Sequence, residues 1–293
     1  FRSLLSALMT FSKANDPVLL EQLTYSQLID EVHFTQRHPV PLAMDDEGIE
    51  PQALDTACRE TGAKLLFLVP TLQNPTNAVM SLARRQAIIE VARRHDLLMV
   101  EDDVYGYLLQ ERPPPIAALA PERTIYITSA SKCLAPGLRV AWVVAPRDRL
   151  PRLAEAARII TVTQPGVMGA VASHWIDGGR AETLLHWLRR EVAARYGIAR
   201  EKLAGLDWHG HEAAFHVMLK LPAPWHSDDF TAAARMAGIT VQPISSFTVG
   251  VGALVEAVRV TLTQVSDLET LGQALATLRN ILERGPSRPR AVI

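Results

Sequence analysis

The sequence contains few of the residues that mark several common classes of protein. Its 293 residues include only two cysteines, Cys58 and Cys133, which are too few for a disulfide framework or a zinc site and predict a reducing, cytoplasmic location. No apolar run is long enough for a transmembrane helix, and no signal-peptide pattern is present. We therefore expect no association with a membrane.

Neither sign of charge is in excess, since the formal net charge is -1. This balance argues against a broad basic face that binds nucleic acid. The sequence has no Gly-x-Gly-x-x-Gly or Gly-x-Ser-x-Gly motif, so dinucleotide binding and α/β-hydrolase chemistry lose their main support. His209 and His211 lie close together, but their spacing suits a turn and no third ligand is evident, so we predict no metal site.

Apolar runs and helical patterns alternate through residue 160. Residues 64–70 form an almost continuous apolar run, as strands covered on both faces do. The alternation predicts an α/β fold with a doubly wound, mostly parallel sheet, and a later change of pattern predicts a smaller α+β domain. The expected parts are a large domain over residues 1–180, a connecting helix over 181–205, a small domain over 206–285 and a tail over 286–293.

The ends of several helices can also be predicted. Ser81 is a candidate N-cap for a helix with Leu82 among its inward-facing residues. The last helix is expected to start with a capping box over residues 266–269 and to bury Leu268 among its leucines. The first residue, Phe1, is not a methionine, and apolar residues already follow it at helical spacing, so we expect an upstream segment.

Lysine is scarce, with five residues among 30 lysines and arginines. One of them, Lys132, follows two small hydroxyl residues, Ser129 and Ser131, and precedes Arg139, in a loop between two predicted strands. Lysine can lose its proton and attack a carbonyl, whereas arginine effectively cannot. A surface lysine at a strand end would explain the same pattern, so the choice depends on other residues.

Polar residues follow the ends of three predicted strands. They are Asn74, then Asp102 with Tyr105, then Ser129, Lys132 and Arg139. Each has a simpler explanation when taken alone: a turn, a solvated strand end or metal ligand, a core aromatic residue, or a surface ion pair. The carboxyl ends of strands in a doubly wound sheet meet at one crevice, however, so together these residues predict one site.

A lysine, a carboxylate, a phenol, an amide and an arginine are the groups needed to hold pyridoxal 5'-phosphate (PLP). The lysine forms the aldimine, and the carboxylate keeps the pyridine nitrogen protonated so that the ring accepts the electrons of a carbanion. The phenol and the amide donate to the 3-oxygen of the ring. The arginine and the hydroxyls bind the phosphate.

The same motifs resemble those of the fold-type I, class I/II PLP-dependent aminotransferases over nearly the whole chain. The resemblance implies a Schiff-base role for Lys132 and a bond between Asp102 and the pyridine nitrogen. It implies further cofactor contacts from Asn74, Tyr105, Ser129, Ser131 and Arg139.

Two further residues match positions of that family. The resemblance implies that Tyr25 stacks over the ring, that Arg259 binds the α-carboxylate of the substrate, and that Asn74 also contacts the substrate. Asn77 stands where the family usually has glycine after Asn-Pro-Thr. The family's upstream phosphate loop would lie at or before Phe1.

Residues 101–105, 112–119 and 132–139 resemble the MocR-type branch of the GntR transcription regulators, which carry a winged helix-turn-helix ahead of an aminotransferase-like domain. This resemblance favours an effector-sensing domain that forms an aldimine with an amino acid, and DNA would be bound only by an upstream domain. The alternative is a free-standing aminotransferase acting on an amino acid and a 2-oxo acid, because one fold serves both functions. The family resemblance also implies a homodimer.

Overall fold

The computed structural model describes residues 2–162, 166–250 and 255–286. The strands in these residues are β1 Pro17–Glu21, β2 His38–Leu42, β3 Met44–Asp45, β4 Gly48–Ile49, β5 Leu65–Leu68, β6 Leu98–Asp102, β7 Thr124–Ser129, β8 Ala141–Val144, β9 Trp208–Gly210, β10 His216–Lys220, β11 Gln242–Pro243 and β12 Ala257–Thr261. The helices are α1 Arg2–Phe11, α2 Ser26–Phe34, α3 Pro51–Thr61, α4 Leu82–Arg94, α5 Ile116–Leu119, α6 Ala130–Cys133, α7 Leu150–Thr161, α8 Gly166–Asp177, α9 Arg180–Lys202, α10 Ser227–Met236 and α11 Leu268–Arg284. None of the helices described combines the length and the apolar character needed to span a bilayer.

Six strands form the larger sheet, in the order β2-β1-β5-β6-β7-β8. Neighbouring strands are parallel except for β7 and β8, which are antiparallel. The predicted doubly wound, mostly parallel sheet is therefore confirmed.

Both faces of the six-stranded sheet are covered, as the side chains of β5 illustrate. Leu66 and Leu68 pack in one apolar core with residues of α3 and α4, whereas Leu65 and Phe67 pack in a second core with residues of α1 and α2. Successive side chains of a strand point to opposite faces, so a strand buried on both sides needs an unbroken apolar run. This requirement explains the apolar run over residues 64–70 of the sequence.

The smaller sheet is antiparallel, with the order β11-β12-β10-β9. Its apolar core includes side chains from α9, α10 and α11. This antiparallel sheet with packed helices has the architecture predicted for the second domain, while the domain bounds stay predictions. Of the predicted tail, only Pro286 is among the described residues.

The structure corrects the prediction for the start of α11. The N-cap is Asp267, whose Oδ1 accepts a hydrogen bond of 2.7 Å from the Thr270 N–H. The predicted capping box placed the cap at Ser266, one residue too early, because serine and aspartate both serve as N-caps. Leu268 is 36% exposed rather than buried, since it is the first residue of the helix.

The start of α4 agrees with the sequence only in part. Ser81 is the N-cap as predicted, and its Oγ accepts from the Arg84 N–H at 3.2 Å. Leu82 is 42% exposed, so its predicted inward orientation was wrong. Ile88 and Ile89, one to two turns further on, are buried as predicted.

Helix α2 and strand β2 were not predicted. Ser26 begins α2, and β2 forms one edge of the larger sheet. Pro39 and Pro41 lie within β2; proline is tolerated in an edge strand, where one side of the backbone has no partner strand. Because proline has a low propensity for strands, the sequence pattern did not predict β2.

The opposite edge of the larger sheet and α8 expose apolar side chains. Trp142 and Val144 on β8 are 38% and 62% exposed. On α8, Val167, Met168 and Ile176 are exposed, and only Ala172 is buried among the side chains described. Where exposed apolar groups form a contiguous patch, they mark a surface that contacts another protein.

Candidate functional site

Three of the predicted site residues follow neighbouring parallel strands. Asn74 lies in the loop after β5, Asp102 is the last residue of β6, and Lys132 lies in α6, directly after β7. The sequence predicted a loop around Lys132, and the structure instead has a single helical turn. Because β5, β6 and β7 are adjacent and parallel, their carboxyl ends bring the three residues to one edge of the sheet.

The consecutive acids Glu101, Asp102 and Asp103 have different surroundings. Glu101 accepts hydrogen bonds from the N–H groups at the start of α5. Asp103 is fully buried and binds Arg112 and the hydroxyl of Tyr126, the latter at 2.7 Å. Since side chains alternate along a strand, Asp102 lies on the other face from its two neighbours. The possibility that Asp102 and Asp103 form a metal-ligand pair therefore loses its basis.

Asp102 has an oxygen without a partner. Its Oδ1 is buried, and no hydrogen bond to it occurs among the residues described. Burial raises the pKa of Asp102 to about 6, and the charge of Asp103 adds to the rise while that of Lys132 opposes it. An unsatisfied buried carboxylate oxygen is costly by itself, so it is suited to receive a proton donor from a bound molecule.

Lys132 lies near an aromatic ring and interacts electrostatically with Asp102. Its Nζ is 5.8 Å from the ring centroid of Tyr105. Burial lowers the pKa of Lys132, and the positive charges of Arg259 and Arg139 lower it further, against the opposing effect of Asp102. A lowered pKa increases the fraction of neutral amine, which is the nucleophilic and basic form of lysine. The next residue, Cys133, is buried, and its Sγ donates to the Ser129 carbonyl at 3.3 Å.

Arg259 on β12 approaches the same place from the smaller sheet. Its Nη1 donates to Asn74 Oδ1 at 2.7 Å, and its Nη2 donates to Gln242 Oε1. Its guanidinium carbon is 4.7 Å from the ring centroid of Phe247. The Nε atom is buried and has no partner among the residues described. The arginine is thus held from three sides at the junction of the two sheets.

Gln242 and Phe247 were not identified from the sequence. Gln242 is the cross-strand partner of Arg259 in the pairing of β11 with β12, so only the strand register reveals its role. Phe247 lies in a short 3-10 helix after β11, and no local pattern points to it.

A buried acid of β1 supports the loop that carries Asn74. Glu21 is fully buried and accepts hydrogen bonds from Val69 N–H at 3.1 Å and from Gln73 Nε2 at 2.9 Å. Gln73 Oε1 in turn accepts from the N–H and the hydroxyl of Thr76. Burial raises the pKa of Glu21 to about 7 although its hydrogen bonds to Gln73 and Val69 act in the opposite direction. The signal in the sequence was an acid that ends an otherwise apolar strand.

The remaining predicted residues lie around this centre. Tyr25 is the residue before α2, and its hydroxyl binds Gln27. Its charge interactions with Asp102, Arg139 and Arg259 indicate that it faces the same region. Ser129 caps α6, and its Oγ accepts from the Ser131 N–H at 3.3 Å.

Arg139 is exposed and has a left-handed backbone, with a φ of 53°. His211 accepts a hydrogen bond from the Ala213 N–H at 3.1 Å, as in a turn. Within residues 2–162, 166–250 and 255–286, no three His, Cys, Asp or Glu side chains form a group that could hold a metal ion.

Comparison with known proteins gives the family. The model of the family "Aminotransferase class I and II" matches residues 1–278. The chain belongs to this family. Membership of the aminotransferase family thus accounts for the doubly wound sheet.

Relatives of this aminotransferase-family chain include both regulators and enzymes. It is 29% identical over 278 residues to the HTH-type transcriptional regulator YdeF of Bacillus subtilis, covering 95% of this chain and 60% of YdeF. It is 32% identical to the HTH-type transcriptional regulator YisV of the same organism, covering 70% of this chain and 44% of YisV. The aminotransferase SSO0104 of Saccharolobus solfataricus is 27% identical, with coverages of 79% and 61%. The chain thus spans about half of the length of these relatives.

Solved aminotransferases have the same fold. The multiple substrate aminotransferase of Thermococcus profundus superposes with a TM-score of 0.88 at 25% identity, covering 97% of this chain and 73% of that one. The kynurenine aminotransferase of Pyrococcus horikoshii, solved in complex with PMP, gives a TM-score of 0.87 at 26% identity and covers 97% of this chain and 72% of that one. These likenesses confirm the predicted fold class.

Proposed function

We propose that this chain is a PLP-binding, aminotransferase-like domain that binds an amino acid and serves as the effector-sensing part of a transcription regulator. The observation that carries the proposal is that Lys132, a half-buried lysine with a lowered pKa, interacts electrostatically with Asp102, whose buried Oδ1 has no partner among the residues described. A ring with a protonated nitrogen and an electrophilic carbon would use both.

The groups around these two residues fit PLP. Asp102 would accept from the ring nitrogen, and Asn74 and Tyr105 would donate to the 3-oxygen. Ser129, Ser131 and Arg139 would hold the phosphate, and Tyr25 would cover the ring. When bound, PLP supplies a ring that accepts the electrons released at the α-carbon of an amino acid. The structure of the Pyrococcus horikoshii relative with PMP supports this choice of cofactor.

The chain's own residues would then act on the amino acid. Arg259 would bind its carboxylate through two parallel hydrogen bonds, which fix the orientation of the α-carbon. The neutral amine of Lys132 would take the α-proton, because its lowered pKa suits it to general-base catalysis near neutral pH. The carboxylate of Asp102 would keep the ring nitrogen protonated throughout.

The regulatory part of the proposal is supported by the relatives named as HTH-type regulators, of which the chain covers only a part. The DNA contacts would then belong to a segment outside residues 1–293. A free-standing aminotransferase is the second candidate, and the named aminotransferase relatives favour it. Full-length protein whose DNA affinity responds to an amino acid, without steady release of a 2-oxo acid, would select the regulator. Steady turnover with no such response would select the enzyme.

Chemical trapping tests the cofactor site. After incubation of the protein with PLP and reduction with borohydride, peptide mapping should find the phosphopyridoxyl label on Lys132. Lys132→Ala should remain unlabelled, whereas Lys13→Ala, which changes an exposed lysine, should be labelled like the wild type. Label retained in Lys132→Ala would refute the assignment.

We also propose a homodimer, which the apolar side chains exposed on β8 and α8 support. Sedimentation of the full-length protein at micromolar concentration should give the mass of two chains. A monomer under these conditions would contradict the proposal.

A further inference from the structure

Asn77 has a backbone conformation that explains why the family usually has glycine there, but its side chain has a role that glycine lacks. Its φ is 64°, in the left-handed region that glycine and asparagine tolerate best. Its N–H donates to the Gln73 carbonyl at 2.6 Å, which fixes the turn without help from the side chain. The side chain is therefore free to serve another purpose.

That side chain joins the two sheets. Asn77 Nδ2 donates to the His216 carbonyl at 3.1 Å, and the bond is buried. On the β9 side the strand ladder does not extend to this carbonyl, because β9 pairs only with Val217, Met218 and Leu219 of β10. A buried carbonyl without a partner is costly, so Asn77 provides what the edge of the smaller sheet lacks.

The loop after β5 thus contacts the smaller sheet twice within four residues. Asn74 receives the hydrogen bond from Arg259 on β12, and Asn77 binds His216 on β10. The two contacted strands are paired, with His216 opposite Thr261, two residues from Arg259. Any movement of β10 away from the loop therefore moves Arg259 away from Asn74.

We propose that Asn77 is a positioning residue that fixes Arg259 relative to Lys132 and Asp102. An amino acid would be held by Arg259 on the smaller sheet and by the cofactor on the larger sheet, so Arg259 and the cofactor must lie at a set distance from each other. If either becomes mobile, binding must also order it, which lowers the affinity. The groups assigned to PLP all lie on strands of the larger sheet or in the segments that connect those strands. Loss of the Asn77 side chain therefore weakens amino-acid binding and leaves PLP binding unchanged; this part rests on the proposed function.

Two variants isolate the side chain. Asn77→Gly keeps the left-handed backbone and removes the bond to His216. Asn77→Asp keeps the size but places an acceptor against the carbonyl. Asn15→Gly is the matched control, because Asn15 also has a left-handed backbone, with a φ of 69°, and is exposed.

The experiment has two measurements on the full-length protein. Hydrogen exchange, which needs no ligand, follows the amides of β10 and β12. Titrations follow the binding of PLP and then, in PLP-loaded protein, of whichever of the twenty amino acids changes the wild-type absorbance most. In both Asn77 variants, the amides of β10 should exchange about tenfold faster than in the wild type, and the amino acid should bind about five- to tenfold more weakly. The affinity of these variants for PLP should equal that of the wild type. Asn15→Gly should match the wild type in all three measurements.

Unchanged exchange in β10 would overturn the inference, and so would an equal loss of PLP and amino-acid affinity, which a merely structural role produces. Wild-type protein that binds no PLP or responds to no amino acid would count against the proposed function instead. The exchange rates would still decide whether Asn77 holds the two sheets together.

Discussion

Replacing Glu21 with glutamine should change how the stability of the protein depends on pH. Glu21 is fully buried, and its pKa is raised to about 7 in the folded chain from an ordinary value of 4.5. The folded state therefore binds this proton more tightly than the unfolded state does. The contribution of Glu21 to stability is fully present below pH 4.5 and is lost as the pH rises through 7.

The size of the effect follows from the shift in pKa. Between pH 5 and pH 8 the wild type should lose roughly 2–3 kcal/mol of its free energy of unfolding at this residue. Glu21→Gln cannot titrate, so it should lose none of this. The variant also weakens an acceptor of the Gln73 amide, which costs about 1–3 kcal/mol, but that cost stays nearly constant with pH. The pH dependence of the difference in unfolding free energy between the two proteins therefore reports the protonation of Glu21 alone.

Urea unfolding of cofactor-free protein at pH 5, 6, 7 and 8 measures this difference. We expect the stability of Glu21→Gln relative to the wild type to improve steadily with pH. Glu60→Gln, at an exposed position on α3, is the control and should run parallel to the wild type. Parallel curves for Glu21→Gln as well would show that the burial of Glu21 does not raise its pKa.

Two further changes test other parts of the structure. Asp267→Ala should lower the free energy of unfolding by about 1 kcal/mol through loss of the α11 cap, while Ser266→Ala should have little effect; denaturant midpoints of the two variants decide which residue caps the helix. Arg259→Lys keeps the charge but loses the planar pair of donors, so amino-acid binding to the PLP-loaded protein should fall at least about tenfold. Titration of that variant with an amino acid measures the fall, and unchanged affinity would contradict the role of Arg259.

The features that the sequence predicted best depend on local order along the chain. The apolar run of β5 and the polar residues after β5, β6 and β7 need no knowledge of distant contacts, because a parallel sheet brings strand ends together whatever its details. Asp102, Lys132 and Asn74 were found in this way. The PLP roles given to them stay predictions that labelling and binding can test.

The features that the sequence did not predict depend on pairing between distant segments. Gln242 reaches Arg259 only because β11 and β12 are in register, and Asn77 reaches His216 across 139 residues. The prediction of the N-cap of α11 was wrong for a different reason. Two neighbouring residues could both cap the helix, and the choice between them depends on how the helix packs. Local propensity carries no information about any of these contacts.

The position of Cys133 makes its thiol a probe of local opening at the site. Its thiol is buried beside Lys132 and donates to Ser129, and burial raises the pKa of the thiol, so little reactive thiolate is present. A thiol reagent can therefore modify Cys133 only when the single helical turn α6 opens. In a Cys58→Ala background, the rate of modification would time how often the turn that carries Lys132 comes apart, and a bound molecule that holds the turn closed would slow that rate.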